Sequence, residues 1–116
     1  MTFTVRPISA AEVGAFLAER TDVPLQQRPS FAAVKSEWQH LFLGWFDAQG
    51  SAAGERMVGS AVVLLRPLPR TRYPLAYIPE GPLLNWDSPD AVQALSPMLD
   101  VLRAHGAFLV KIGPRL

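Results

Sequence analysis

Proline constrains this chain more than any other residue. There are 11 prolines among 116 residues, about twice average usage. Each one fixes φ and removes a main-chain donor, so the chain must fold from short pieces and a long coiled coil is excluded. The length suits one domain. With 49% hydrophobic and 18% charged residues, the composition favours a packed core over disorder.

Charge and cysteine usage narrow the function classes. A formal net charge of +1 provides no global field to recruit nucleic acid or an anionic membrane. The chain has no cysteine, which excludes a disulfide framework, a thiol nucleophile and any cysteine-based zinc site. The opening MTFTVRP has Arg6 as its only early charge and no apolar run behind it, so it does not read as a signal peptide. The longest apolar stretch, Val58–Leu65, contains Gly59 and Ser60 and is too short to span a bilayer. A cytoplasmic protein is expected. Peripheral membrane contact stays open, because it needs only a local patch.

The pattern predicts a short strand over Thr2–Val5, stopped by Pro7. Ser9 and Glu12 form a capping box for a helix of residues 10–20, with Val13, Phe16 and Leu17 at helical spacing. Ser30 is expected to cap a second short helix carrying Phe31, Val34, Lys35 and Trp38 on one side. Gln39–Ala48 is apolar on both faces, which predicts an inner strand. The small polar run 49–55 reads as a hairpin connection to a second strand, Arg56–Leu65. A third strand is expected at Leu75–Ile78, then a loop over 79–89. Ser88-Pro89-Asp90 reads as a helix start. Val92, Leu95, Leu99 and Leu102 would form its apolar stripe, kinked or split at Pro97 with Ser96 capping the second half. Gly106 should end that helix, and Ala107–Ile112 should form a last strand. The order β-α-α-β-β-β-α-β predicts an α+β (mixed α/β) domain, helices flanking a mostly antiparallel sheet. A finished sheet is not expected to stop on a bare apolar strand, so the domain reads as incomplete.

Familiar catalytic signals are absent from the sequence. His40 and His105 have no metal-ligand spacing, and His105 suits the negative end of a helix. There is no G-x-S-x-G, GxxxxGK[ST] or GxGxxG. Three features remain. Lys35 is one of two lysines and shares an apolar stripe with Phe31 and Trp38. Its stem can cover apolar surface, the reading that the residues alone favour, or its ammonium can face a phosphate with Trp38 as a wall. Arg66, Arg70 and Arg72 lie among prolines, as a solvated loop or as bidentate phosphate contacts. Tyr77 to Trp86, YIPEGPLLNW, is a rigid turn or a substrate wall.

YIPEGPLLNW resembles the Y-x-P-x-G-P-hydrophobic-hydrophobic-D/N-W motif of the FemABX family, aminoacyltransferases that build peptidoglycan interpeptide bridges. PSFAAVKSEW is similar to the family's early V-K motif, and VVLLRPLP and FLVKIGP follow in the family's order. The resemblance covers nearly the whole chain. It implies a GNAT-like fold and transfer of an amino acid from aminoacyl-tRNA to the stem peptide of a peptidoglycan precursor, UDP-MurNAc-pentapeptide or lipid II. The ester is already activated, so alignment and oxyanion stabilisation suffice, without a metal or other cofactor. By the same resemblance Lys35 matches a phosphate-holding lysine. Tyr77, Gly81 and Pro82 match the motif lining the precursor groove, and Trp38 is a wall residue with less support. Glu80 stands where many members have arginine, and Asn85 where aspartate is usual.

Family members use two such domains, and a complete one should be about three times this length at ordinary domain sizes. Residues 1–116 thus resemble the N-terminal part of a first domain, inactive alone, with the second domain absent. The alternative is a stand-alone binding half-domain that pairs with itself or a second polypeptide through its last strand. A divergent acyl-CoA N-acetyltransferase is disfavoured, because no glycine-rich pyrophosphate loop is present.

Overall fold

The computed structural model describes residues 3–20, 23–34, 38–47, 56–66, 74–107 and 109–114. Five strands form one sheet in the order β1 (Phe3–Pro7), β2 (Gln39–Asp47), β3 (Arg56–Arg66), β4 (Leu75–Glu80), β5 (Leu109–Pro114). The first three pairings are antiparallel and β4–β5 is parallel. A parallel neighbour requires a crossover, which α3 (Leu95–Ala104) supplies. The mixed, mostly antiparallel sheet expected from the sequence is what forms.

Helices cover both faces. Met98 and Leu102 of α3 join Leu43, Trp45, Ala61, Val63, Ala76 and Ile78 in the main core. On the other face Phe31 of α2 (Pro29–Val34), with Trp38 and Phe42, packs on Val62 and Leu64. α1 (Ala10–Leu17) and a 3-10 turn (Leu25–Gln27) lie beside α2. With side chains buried on both faces, β3 reads as a continuous apolar run rather than an alternation.

Local signals account for the well-matched elements. Ser9 Oγ accepts from the Glu12 amide and Glu12 Oε1 accepts from the Ser9 amide, both at 3.1 Å, closing the capping box. Gly106 ends α3 at φ 89°, a conformation open to glycine. β2 is an inner strand and apolar on both sides, with Leu43 and Trp45 buried on one face and Phe42 packed on the other.

Several boundaries differ from expectation. α1 stops at Leu17 rather than residue 20. α2 begins at Pro29, so Ser30 sits inside its first turn instead of capping it; its described residues run to Val34, and Trp38, the next residue described, is not helical. The segment 89–94 forms successive turns, and α3 starts only at Leu95. Ser88 Oγ accepts from the Asp90 amide at 3.2 Å, so it caps a turn, and Ser96 lies in the first helical turn, capping nothing. Pro97 is tolerated there because first-turn amides lack helical partners anyway. Val92 (73% exposed) and Leu99 (41% exposed) point outward, whereas Ala91, Ala94, Met98 and Leu102 are buried. β4 runs on to Glu80 because β5 continues to pair with it, Pro79 with Gly113 and Glu80 with Pro114. The expected hairpin at 49–55 lies outside the described residues. Among the described residues β5 has no strand on its outer edge, and Leu109 is 53% exposed. No described helix is long and apolar enough to cross a membrane.

Candidate functional site

The site is built around the point where β3 and β4 stop pairing. Their ladder is regular up to Leu64–Tyr77 and resumes only as an isolated bridge, Ser60–Leu83. β4 takes more residues than β3 between these points, so Ile78–Pro82 must bulge away. Pro79 has no amide to donate, and the buried Val62 of β3 is left without a strand partner on that side.

Gln27 fills the gap. Its side chain is fully buried. Oε1 accepts from the Val62 amide at 2.9 Å, while Nε2 donates to the Pro79 carbonyl at 2.7 Å and the Val62 carbonyl at 3.4 Å. The side-chain amide thus stands in for a missing peptide unit between two strands. Gln27 lies between the two helices expected from the sequence, outside every predicted element. No local pattern marks a side chain whose partners are 35 and 52 residues away.

The rest of YIPEGPLLNW is fixed from this point. Glu80 takes a left-handed φ of 54°, which a non-glycine residue holds only when its surroundings dictate it. Gly81 lies against the Gln27 amide and accepts from the Gly113 amide at 3.3 Å. The Gly81–Pro82 peptide is cis. Trp86 Nε1 donates to the Pro82 carbonyl at 3.1 Å. Gly59 admits the returning chain, since a Cβ there would fall 2.5 Å from Leu84 Cδ2.

Residues paired across strands share a face. His40, Leu64, Tyr77 and Lys111 therefore form one cross-strand row. Arg66 is two residues beyond Leu64 on the same face. Its guanidinium lies 5.6 Å from the Trp38 ring centroid, and the Lys111 ammonium lies 5.3 Å from that of Tyr77. His40 stacks obliquely on Phe42, centroids 5.6 Å apart. Two exposed cations, each resting on a ring, thus flank the apolar Leu64. A cation held over an aromatic face keeps its charge and most donors available to an anion.

Of the residues singled out from the sequence, Trp38, Arg66 and Tyr77 come together on this face. Lys35, Arg70 and Arg72 lie outside the described residues. Gly81 and Pro82 are buried and so present no exposed wall. Lys111 is not among the residues the sequence singles out: its strand is predicted, but the parallel register that brings it to Tyr77 is a tertiary fact. His105 Nδ1 lies 3.0 Å from the Val101 carbonyl at the end of α3, the helix-terminal role expected of it. No group of potential metal ligands occurs among the described residues. A cleft of about 280 Å³ opens on the α3 side at the far end of β3, between Phe3, Val58, Leu84, Asn85 and Ala94.

An antiparallel run of strands closed by a parallel β4–β5 pair, with helices on both faces, defines a GNAT-like fold. The chain resembles a Trypanosoma brucei acetyltransferase (TM-score 0.56, 15% identity, 98% of this chain and 84% of that one). It also resembles a transcriptional regulator from Bacillus halodurans C-125 (TM-score 0.59, 14% identity, 98% and 83%). The crystal structure of FemX superposes with TM-score 0.71 at 23% identity over 97% of this chain. The sequence profile of the FemAB family matches residues 8–116, and the chain belongs to that family. It spans 27% of the length of FemX. No curated protein matched by sequence.

Proposed function

We propose that this chain is the precursor-binding front part of a Fem-type aminoacyltransferase, which in complete form transfers an amino acid from aminoacyl-tRNA to the stem peptide of a peptidoglycan precursor. The observation that carries the reading is the pair of ring-held cations, Arg66 on Trp38 and Lys111 on Tyr77, on one sheet face that also carries the Y-x-P-x-G-P strand. A nucleotide-linked precursor offers phosphates to such cations and a uracil or sugar face to the rings. Lys35, three residues before Trp38 in sequence, is the family-matched phosphate ligand. Arg70 and Arg72 are offered as further phosphate contacts.

In the reaction, the neutral amine of the stem peptide attacks the ester carbonyl of the charged tRNA. An amide C–N bond forms, the ester C–O bond breaks, and the amine proton leaves with the ribose hydroxyl. Alignment of two bound substrates provides much of the acceleration, and no metal or cofactor is called for. The residues named here are assigned to the precursor, and the aminoacyl-tRNA side to the remainder of the enzyme. Both reactants are met in the cytoplasm, where the protein is assigned. With lipid II as acceptor, contact with the membrane is peripheral.

The test is calorimetric titration with UDP-MurNAc-pentapeptide, beside an assay for transfer of a labelled amino acid from tRNA. Precursor binding that UDP competes with, and no transfer by residues 1–116 alone, is the expected result. Absence of binding would overturn the precursor role, and robust transfer would overturn the assignment to a front part only.

A second reading has its own support. The outer edge of β5, which pairs with no strand among the described residues and carries Leu109 53% exposed, suits a half-domain that pairs through that strand without catalysis. Concentration-dependent dimerisation abolished by a proline at Val110 would favour it.

A further inference from the structure

We infer that Gln27 is a positioning residue that locks the two candidate precursor-binding segments to each other; the functional half of this inference rests on the reading above. The first segment, residues 29–38, begins two residues after Gln27 and ends at Trp38. The second, residues 77–86, begins at Tyr77 and ends at Trp86. They begin in different layers, the first with α2 on the sheet and the second with the end of β4 within it. The Gln27 side chain bridges them through Val62 and Pro79.

Three features make this more than a buried polar contact. The amide orientation is determined, because Oε1 faces an N–H while Nε2 faces two carbonyls. The space is closed, because a Cβ on Gly81 would fall 2.5, 2.6 and 2.7 Å from Cδ, Oε1 and Nε2. The bridge continues outward, since Gly81 accepts from Gly113 on β5 and Pro82 accepts from the Trp86 indole. One amide therefore sets the start of the Trp38 segment, the bulge after Tyr77 and the anchor of Trp86 together.

The three tryptophans report on this directly by the NMR signals of their indole N–H groups. Trp38 and Trp86 lie in the two linked segments. Trp45 is an internal control: it is buried in the opposite core, donating to the Ala94 carbonyl at 2.9 Å. The variant Gln27→Met keeps the side-chain length and removes the amide. The expected outcome is a folded protein in which the Trp38 and Trp86 indoles both shift, Trp45 does not, and affinity for UDP-MurNAc-pentapeptide falls tenfold or more. If Gln27→Met does not fold, Gln27→Glu is compared with wild type in the same way. It retains size and the acceptor from Val62 but cannot donate as a carboxylate. Unmoved Trp38 and Trp86 indoles in a folded variant would overturn the inference. So would an affinity loss matched by an equal shift at Trp45, which marks general loosening. If the wild-type chain itself has no affinity for the precursor, the functional reading fails on its own, and the indole signals still decide the structural claim.

Discussion

Gly81 and Gln27 occupy one closed space: a single methyl group on Gly81 would lie 2.5 Å from Gln27 Cδ. A side-chain tip can usually swing away from such a clash. This one cannot do so without giving up its bonds to Val62 and Pro79, at 2.9 and 2.7 Å. Gly81→Ala should therefore destabilise by about 1–3 kcal/mol, the range for overpacking a filled site. Chemical denaturation measures it. The double variant Gly81→Ala, Gln27→Ala should lose less than the sum of the single ones, because the second change makes room for the first.

Trp45 joins β2 to the residue just before α3. Its indole is fully buried and donates to the Ala94 carbonyl at 2.9 Å. Trp45→Phe keeps much of the apolar volume but removes that hydrogen bond and leaves a small void. The expected loss is about 1–3 kcal/mol, combining one lost hydrogen bond with the cavity term. A drop in denaturation midpoint at unchanged slope checks it.

The phase of α3 is tested by neighbours. Met98 is 1% exposed and Leu99 is 41% exposed. Met98→Ala should cost about 2–5 kcal/mol as a cavity in the core, and Leu99→Ala no more than about 0.5 kcal/mol as a surface change. Equal losses would mean that the helix is rotated from the phase described here.

That helix also shows where sequence reading works and where it stops. The capping box at Ser9–Glu12, the two-faced apolar β2 and the Gly106 terminator are all written within a few neighbouring residues, and each forms as expected. The buried stripe over 91–102 differs in phase from the pattern of large aliphatic residues, because two of its buried positions are alanines. Ala91 and Ala94 are buried, while Val92 and Leu99 are exposed. The Y-x-P-x-G-P motif was legible as a rigid element, but not the reason for its rigidity. Gln27 and Lys111 acquire their roles only when distant strands are in register.

Ser60 gives a contrasting case. It is 1% exposed, and its Oγ has no hydrogen-bond partner among the described residues. A buried hydroxyl without a partner costs free energy relative to an apolar group of similar shape. Ser60→Ala should leave stability unchanged or raise it by up to about 1 kcal/mol. A loss larger than that would expose a partner the hydroxyl does have, and thermal melts of the two proteins decide it.

Arg66 and Lys111 carry the functional prediction. Both are exposed and each rests on an aromatic ring, so their removal should barely touch the fold: about 0.5 kcal/mol or less for each alanine variant. Binding should respond differently. A charge-assisted contact to a phosphate contributes about 1.5–3 kcal/mol, so Arg66→Ala and Lys111→Ala should each weaken UDP-MurNAc-pentapeptide binding by roughly tenfold or more, with a shallower dependence on salt. Arg66→Lys keeps the charge but loses the planar stack on Trp38, so it should recover only part of the affinity. Tyr77→Phe leaves a ring under Lys111 and should bind nearly as wild type, whereas Tyr77→Ala should behave like the lysine variant. Calorimetry at two ionic strengths separates these outcomes. Wild-type affinity in both the Arg66→Ala and Lys111→Ala proteins would remove this face from the precursor site.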